Sequence, residues 1–169
     1  MRADYILREE LEHVLATLMP ANRLACEVSL ATGLRIDDVL SLKTAALAQR
    51  MTVTERKTSK RRRVYIPADL YRRMVAYAGR YFVFPNRLDE RKHRTRQAVY
   101  KDLRRSAELL RIKPHVSPHT CRKVYAVEQY RQSGDLAKVQ KLLNHSNEAV
   151  TLLYAMADEM TARRLGGKV

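Results

Sequence analysis

The sequence predicts an α+β domain that is mostly α-helical and carries one small three-stranded antiparallel sheet. Apolar residues recur at helical spacing along most of the chain, whereas residues 45–66 are rich in Val, Thr, Tyr and Ile around a basic turn. The chain has 169 residues, of which 46% are apolar, so we expect a single domain with one core over residues 1–169.

Three helices are predicted before the sheet, over residues 4–18, 21–32 and Ile36–Leu42. Pro20 separates the first two, because proline suits a helix start and disfavours a helix interior. Gly33 ends the second helix, as a C-terminal cap would. Asp37 and Asp38 fall in the first turn of the third, where acidic side chains suit the helix dipole.

The strand-rich segment is predicted to form a β-hairpin with a basic tip. The stretches MTVTER and RRRVYIP supply its two strands, and KTSK lies between them. Ala45–Leu47 is expected to add a third short strand.

Beyond the hairpin, helices are predicted over Pro67–Tyr77, 95–111, Ser117–Gln132, 135–143 and 147–158. Ser117-Pro118 is a helix start, with Ser as the cap and Pro at the first position. Gly79 and Ser133-Gly134 act as stops. The densely charged run over residues 86–96 is predicted to be an exposed loop.

The charge of the chain points to nucleic acid as its partner. Thirty-three Lys and Arg residues against 18 acidic ones give a net charge of +15 and a pI near 10.2. An anionic membrane surface is the main rival, but no apolar run is long enough to span a bilayer. The charged N-terminus lacks the apolar core of a signal peptide, and Cys26 and Cys121 fit buried thiols, so a cytoplasmic protein is expected.

Several residues that could carry chemistry stand out in a definite order: Arg35 after the helix-ending glycine, Lys57 at the hairpin tip, the pair His119 and Arg122, His145 in LLNHS, and Tyr154 nine residues later. Each has an ordinary structural explanation when taken alone. Tyr154, for example, lies in an apolar helical pattern and fits a core tyrosine. The joint pattern is far less expected by chance.

The order TGLRIDDVLSLK, then a hairpin with KTSK, then HTCRKVYA, then LLNHS and a tyrosine resembles the tyrosine recombinase (phage integrase) family. The resemblance covers about residues 20–156. It implies the catalytic-domain fold of that family and site-specific DNA recombination through a 3′-phosphotyrosyl intermediate, with no metal, ATP or other cofactor. The implied catalytic residues are Arg35, Lys57, His119, Arg122, His145 and the nucleophile Tyr154.

The implied reaction suits these residue types. Two arginines, Arg35 and Arg122, would hold the charge that gathers on the phosphate oxygens, since a guanidinium is always charged and grips two oxygens at once. Lys57 would give a proton to the leaving 5′-oxygen, and His119 would act as acid or base near the tyrosine. His145 would donate a hydrogen bond to the phosphate.

Further residues are assigned supporting parts. Asp38, three residues after Arg35, falls where the family usually has a supporting acid. Lys60 is an alternative to Lys57 in the same turn. The residues expected to contact DNA are Lys60, Arg61, Arg62, Arg63, Arg94 and Arg96. A helix break over Asn144–Ser146 is predicted, because one continuous helix would put His145 and Tyr154 on opposite faces.

The sequence departs from the family pattern at its N-terminus. Only about twenty residues precede the matched region, too few for the helical core-binding domain that clamps the other side of DNA in many members, so that domain is expected to be absent. The sequence is then either a fragment of a longer protein or a short, single-domain member of the family. The expected partners are double-stranded DNA and further copies of the chain on it, as a tetramer in the synaptic complex. The alternatives are a catalytically idle DNA-binding regulator that keeps the fold, and a packaging protein whose charges only neutralise phosphate.

Overall fold

The computed structural model describes residues 6–143, and these form seven α-helices and one β-hairpin. The helices are α1 (Arg8–Ala16), α2 (Pro20–Thr32), α3 (Ile36–Leu40), α4 (Ala68–Tyr77), α5 (Arg96–Leu109), α6 (Pro118–Ser133) and α7 (Leu136–Leu143), and the strands are β1 (Arg50–Thr54) and β2 (Arg61–Tyr65). The predicted mostly helical α+β class is confirmed. The helix predicted over 147–158 lies outside the described residues. None of the described helices combines the length and apolar character needed to cross a membrane.

Local signals set several helix ends where the sequence predicts them. Gly33 ends α2 and Gly134 ends α6, both in the left-handed conformation, with φ of 67° and 64°. Pro118 occupies the first turn of α6, and the Ser117 backbone N–H donates to the Thr120 side-chain oxygen at 3.1 Å. These ends are fixed by residues within one turn of the boundary.

Helix α2 is the central helix of the domain and packs against α1, α3, α4, α5 and α6. Its apolar residues Leu24, Ala25 and Val28 are buried in the main core. Cys26 on α2 and Cys121 on α6 are both buried free thiols, as predicted. A second small cluster, which includes Val127 and Leu143, lies between α6 and α7. Helix α2 therefore contributes most of its length to the main core.

The predicted third strand is wrong. Within the described residues the sheet has two antiparallel strands, and the segment expected to pair with them forms a short 3₁₀ helix, Thr44–Ala46. Its N–H groups bond locally, as the Leu47 N–H does to the Thr44 carbonyl at 3.1 Å. The residue before the turn, Lys43, forms a single isolated bridge with Phe82 of the YFVFP stretch. Alanine has little preference for strands, so a local helical turn replaces the ladder.

The two faces of the hairpin differ in exposure. Val53 pairs with Arg62 and Met51 pairs with Val64 on the face that meets the core. On β2, the neighbours of Arg62 and Val64 are exposed because successive side chains alternate between faces. The hairpin therefore carries one buried arginine between two exposed ones.

Candidate active site

The first predicted catalytic residue lies at the junction between α2 and α3. The left-handed turn at Gly33 redirects the chain after α2, and Arg35 then occupies the N-cap position of α3 in extended conformation. The Arg35 side chain is 9% exposed and donates from Nη1 to Glu55 Oε2 at 2.6 Å. A buried carboxylate thus holds one edge of this guanidinium.

The N-terminal part of α6 supplies the predicted His-x-x-Arg pair. Arg122 is buried and donates to the Gly33 carbonyl at 2.6 Å and to the Leu143 carbonyl at 2.7 Å. His119 is exposed, and its Nε2 lies 3.4 Å from an Arg96 guanidinium nitrogen. Residues three apart share one helix face, so both side chains reach the same side of α6.

These segments surround one open depression of about 570 Å³, which we call the basic depression. It is lined by Arg35, Ile36, Asp37, Asp38, Arg56, Lys57, Arg96, Pro118, His119 and Arg122. The structure therefore brings together the four predicted catalytic residues that lie within residues 6–143. Among the lining residues five permanent cations face two carboxylates, so the depression favours an anion.

The two candidate lysines of the hairpin turn are placed differently. Both Lys57 and Lys60 are exposed, but only Lys57 is among the residues that line the basic depression. Ser59 in this turn has a φ of 54°, a left-handed conformation that non-glycine residues seldom adopt. The geometry favours Lys57 over Lys60 for a part in the chemistry.

Asp38, the predicted supporting acid, connects α3 to the hairpin turn. It is 2% exposed, and its Oδ1 accepts the Arg56 backbone N–H at 2.9 Å. Burial raises the pKa of the Asp38 carboxyl above its ordinary value. Its side chain fixes the residue before Lys57, and the charges of Arg35 and Arg122 act on its pKa in the direction opposite to burial.

Three further residues belong to the site and were not singled out as such from the sequence. Glu55 is fully buried, and Arg62 lies 3.8 Å from its Oε1 while donating to the carbonyls of Thr32 and Gly33. Tyr125 is the third, since its hydroxyl lies close enough to the buried Arg62 guanidinium for the two groups to interact. The period-two alternation of β2 is the sequence signal that separates Arg62 from its exposed neighbours.

The predicted DNA-contact residues divide by exposure. Lys60, Arg61 and Arg63 are exposed on the hairpin. Arg62 was predicted to contact DNA, but its side chain is buried and turned toward Glu55 and the Gly33 carbonyl. Arg94 is half-buried and donates to the Asn22 side chain, whereas Arg96 lies in the basic depression, 3.7 Å from Asp37.

The remaining predicted residues, His145 and Tyr154, and the helix break over Asn144–Ser146 lie outside the described residues. Leu143, whose carbonyl Arg122 holds, precedes His145 by two positions in the sequence. Over residues 6–143, no group of three or more His, Cys, Asp or Glu side chains is placed to hold a metal ion.

The fold is that of tyrosine recombinase catalytic domains. One solved structure with this fold is the XerH site-specific recombinase bound to palindromic difH substrate, with a TM-score of 0.72 and 20% identity over 94% of this chain and 52% of that one. Another is a lambda integrase dimer bound to a COC′ core site, with a TM-score of 0.75 and 17% identity over 90% of this chain and 48% of that one.

The chain belongs to the phage integrase family, whose model matches residues 5–160. It is 30% identical over 138 residues to the probable integrase/recombinase YoeC of Bacillus subtilis, covering 78% of this chain and 75% of that protein. It is 32% identical over 139 residues to the tyrosine recombinase XerD of Rhizobium meliloti, covering 76% of this chain and 44% of that protein. The chain thus spans less than half the length of this second relative.

Proposed function

We propose that this protein cleaves and rejoins DNA strands in site-specific recombination, with Tyr154 as the nucleophile. The observation that carries the proposal is the convergence of Arg35, Lys57, His119 and Arg122 on the basic depression. These residues come from three separate segments of the chain, and a common anionic ligand is the simplest reason for those segments to meet. A scissile phosphate fits the charge of the depression.

In the proposed reaction the tyrosine oxygen attacks the phosphorus, and the bond to the 5′-oxygen breaks. The products are a 3′-phosphotyrosyl link and a 5′-hydroxyl. Attack by a 5′-hydroxyl from another strand on that link reverses the step and releases the tyrosine. The phosphoester bond is exchanged rather than hydrolysed, so strand joining needs no outside energy source.

Arg35 and Arg122 are assigned to the non-bridging oxygens of the phosphate. Both guanidinium groups are fixed by protein acceptors, Arg35 by Glu55 and Arg122 by the Gly33 and Leu143 carbonyls. A guanidinium carries five N–H donors, so a fixed arginine can serve a protein acceptor and a phosphate together. Donors that are already oriented stabilise a developing charge without reorganising during the reaction.

Proton transfer is assigned to Lys57 and His119. Lys57 stands on the exposed turn at the edge of the basic depression, where its ammonium group can reach a leaving 5′-oxygen. His119 also lines the basic depression, beside Arg96, and is assigned to the tyrosine proton. His145 is assigned to a hydrogen bond with the phosphate.

DNA binding by this chain is proposed to use the exposed cations around the depression, which include Lys60, Arg61, Arg63 and Arg96. The lambda integrase tetramer bound to a Holliday junction shares this fold, with a TM-score of 0.73. We extend that assembly to this chain as part of the proposal: a tetramer on paired DNA sites. Because the substrate is DNA, the proposed location is the cytoplasm.

The experiment uses a pool of nicked duplexes with a randomised centre, incubated with the purified protein. Loss of the short strand beyond the nick traps any covalent intermediate. The expected result is a protein–DNA adduct that resists denaturation, and sequencing of the trapped DNA identifies the cognate site. Tyr154→Phe should bind the same DNA and form no adduct, because it lacks only the attacking oxygen.

Tyr81→Phe is the matched control, since this exposed tyrosine lies outside the basic depression. It should form adduct at the wild-type rate. Adduct formation by Tyr154→Phe would refute the assignment of the nucleophile. Specific DNA binding without any adduct would refute cleavage and favour the catalytically idle regulator.

A further inference from the structure

Glu55 is a fully buried carboxylate next to the basic depression, whose charged lining residues favour an anion. Glu55 has no exposed surface, and its Oε2 lies 2.6 Å from Arg35 Nη1. Burying a charge is costly unless it is paired and hydrogen-bonded. A carboxylate kept so close to a phosphate-binding arginine therefore calls for a specific role.

One oxygen atom of Glu55 joins two parts of the site. Oε2 accepts from Arg35 and also from the Thr58 hydroxyl, at 3.1 Å. Thr58 is the residue after Lys57 in the hairpin turn. The Glu55 side chain thus connects the α2–α3 junction, which carries Arg35, to the turn that carries the lysine.

The other side of Glu55 rests on a fixed cation. Arg62 lies 3.8 Å from Oε1, and its own guanidinium is held by the Thr32 and Gly33 carbonyls. Arg62 therefore keeps Glu55 in place from behind. Two guanidinium groups share a single carboxylate, so the trio keeps a net positive charge and Arg35 still attracts a phosphate.

We propose that Glu55 is a positioning residue that fixes the Arg35 guanidinium and the Lys57 turn in one geometry against the basic depression. The inference rests on the proposed function, since it concerns the same phosphate. Glu55 would then set the spacing between Arg35, which stabilises charge, and Lys57, which donates a proton. Glu55 itself contacts neither the DNA nor the reacting atoms.

Two other roles for Glu55 predict different effects on the cleavage rate. If Glu55 competed with the phosphate for Arg35, its removal would release the arginine and speed cleavage. If Glu55 served stability alone, its removal would lower the folded fraction and leave the cleavage rate of the folded protein unchanged. The three roles are therefore separated by one rate measured on folded protein.

The test compares Glu55→Gln with wild type on the nicked duplex selected from the pool. The cleavage rate is measured at saturating DNA, and the DNA dissociation constant is measured in the Tyr154→Phe background. We expect a loss of about 10²-fold in the cleavage rate, the scale of a small misplacement of catalytic groups, with little change in DNA affinity. Circular dichroism melting gives the folded fraction.

Glu27→Gln is the matched control. Glu27 is a carboxylate on α2 that also pairs with two arginines, Arg23 at 2.8 Å and Arg73 at 2.5 Å, and it lies outside the basic depression. Its removal should leave the cleavage rate unchanged. Wild-type or faster cleavage by folded Glu55→Gln overturns the inference, while the adduct formed by wild type keeps the proposed function intact.

Thr58→Val keeps the test decisive if Glu55→Gln does not fold. This change removes one hydrogen bond to Oε2 without leaving a buried charge unpaired. The inference expects slower cleavage by Thr58→Val at unchanged DNA affinity. A wild-type rate for Thr58→Val would overturn the connection between Glu55 and the Lys57 turn.

Discussion

Replacing Gly33 by alanine tests the turn on which the site is built. Gly33 has a φ of +67°, a conformation that L-residues disfavour, and it ends α2 two residues before Arg35. An added Cβ would stand 2.4 Å from the Cδ1 and Cε1 atoms of the Tyr125 ring. Gly33→Ala should therefore destabilise the fold in two ways, through backbone strain and through a clash with the Tyr125 ring.

The magnitude follows from these two costs. A left-handed non-glycine residue costs about 1–2 kcal/mol. Overpacking a buried site costs about 1–3 kcal/mol, because the Tyr125 ring must move against a filled core. Gly33→Ala should therefore lower the free energy of unfolding by about 2–5 kcal/mol. Gly134 has a φ of +64°, and no described atom lies within 4 Å of its added Cβ, so Gly134→Ala should cost about 1–2 kcal/mol.

Urea unfolding followed by circular dichroism measures both variants. The expected result is a loss for Gly33→Ala that exceeds the loss for Gly134→Ala by at least about 1 kcal/mol, the lower end of the overpacking cost. Equal losses would refute the reasoning, since the two positions share the backbone strain and differ in the contact with Tyr125. Cleavage by folded Gly33→Ala should also fall, because the Gly33 carbonyl accepts from both Arg62 and Arg122.

Three further predictions concern charge and burial. Arg61→Ala should reduce the slope of log affinity for DNA against log salt by about 0.9 per lost phosphate contact. Arg62→Ala should instead lower the free energy of unfolding by about 2 kcal/mol or more, because buried carbonyls lose their donors. Equal effects of the two changes on stability would contradict the inward placement of Arg62. The hydrogen bond with Cys121, together with burial, raises the pKa of the Cys26 thiol well above its ordinary value. Because both thiols are also buried, a disulfide reagent should modify neither cysteine until urea unfolds the protein. A thiol that reacts quickly in the folded protein would contradict this prediction. Burial acts to raise the pKa of Asp102, but hydrogen bonds from Asn22, Arg105 and the Met19 N–H outweigh it and lower that pKa. The stability advantage of wild type over Asp102→Asn should therefore be full above a pH of about 4, near the unfolded pKa, and shrink as the pH falls through the lower folded value. Urea unfolding of both proteins between neutral and acidic pH measures this dependence.

Several features could be predicted because their causes are local. The ends of α2 and α6 follow from glycine in the left-handed conformation, and the start of α6 follows from Ser117-Pro118. Buried Cys26 and Cys121 follow from the apolar helical patterns around them. For the site, the order of Arg35, Lys57, His119 and Arg122 along the chain was enough to group them as one set.

Contacts between distant segments decided the rest. The sequence could not show that Ala45–Leu47 lacks a strand partner, because strand pairing depends on which segment lies alongside. It placed Arg62 with the exposed arginines, because alternation along β2 separates the two faces of the strand but does not show which of them meets the core. Glu55 gains its partners Arg35 and Arg62 only in the folded chain.

The sequence by itself thus determined the family, the helical character and the set of candidate catalytic residues, because these depend on local patterns and on order. Only the tertiary structure decided that Arg62 is internal, that Glu55 is buried beside Arg35, and that four of the predicted catalytic residues line one depression. The physical reason is that burying a charge requires oppositely charged or polar partners, and segments far apart in the chain supply them here.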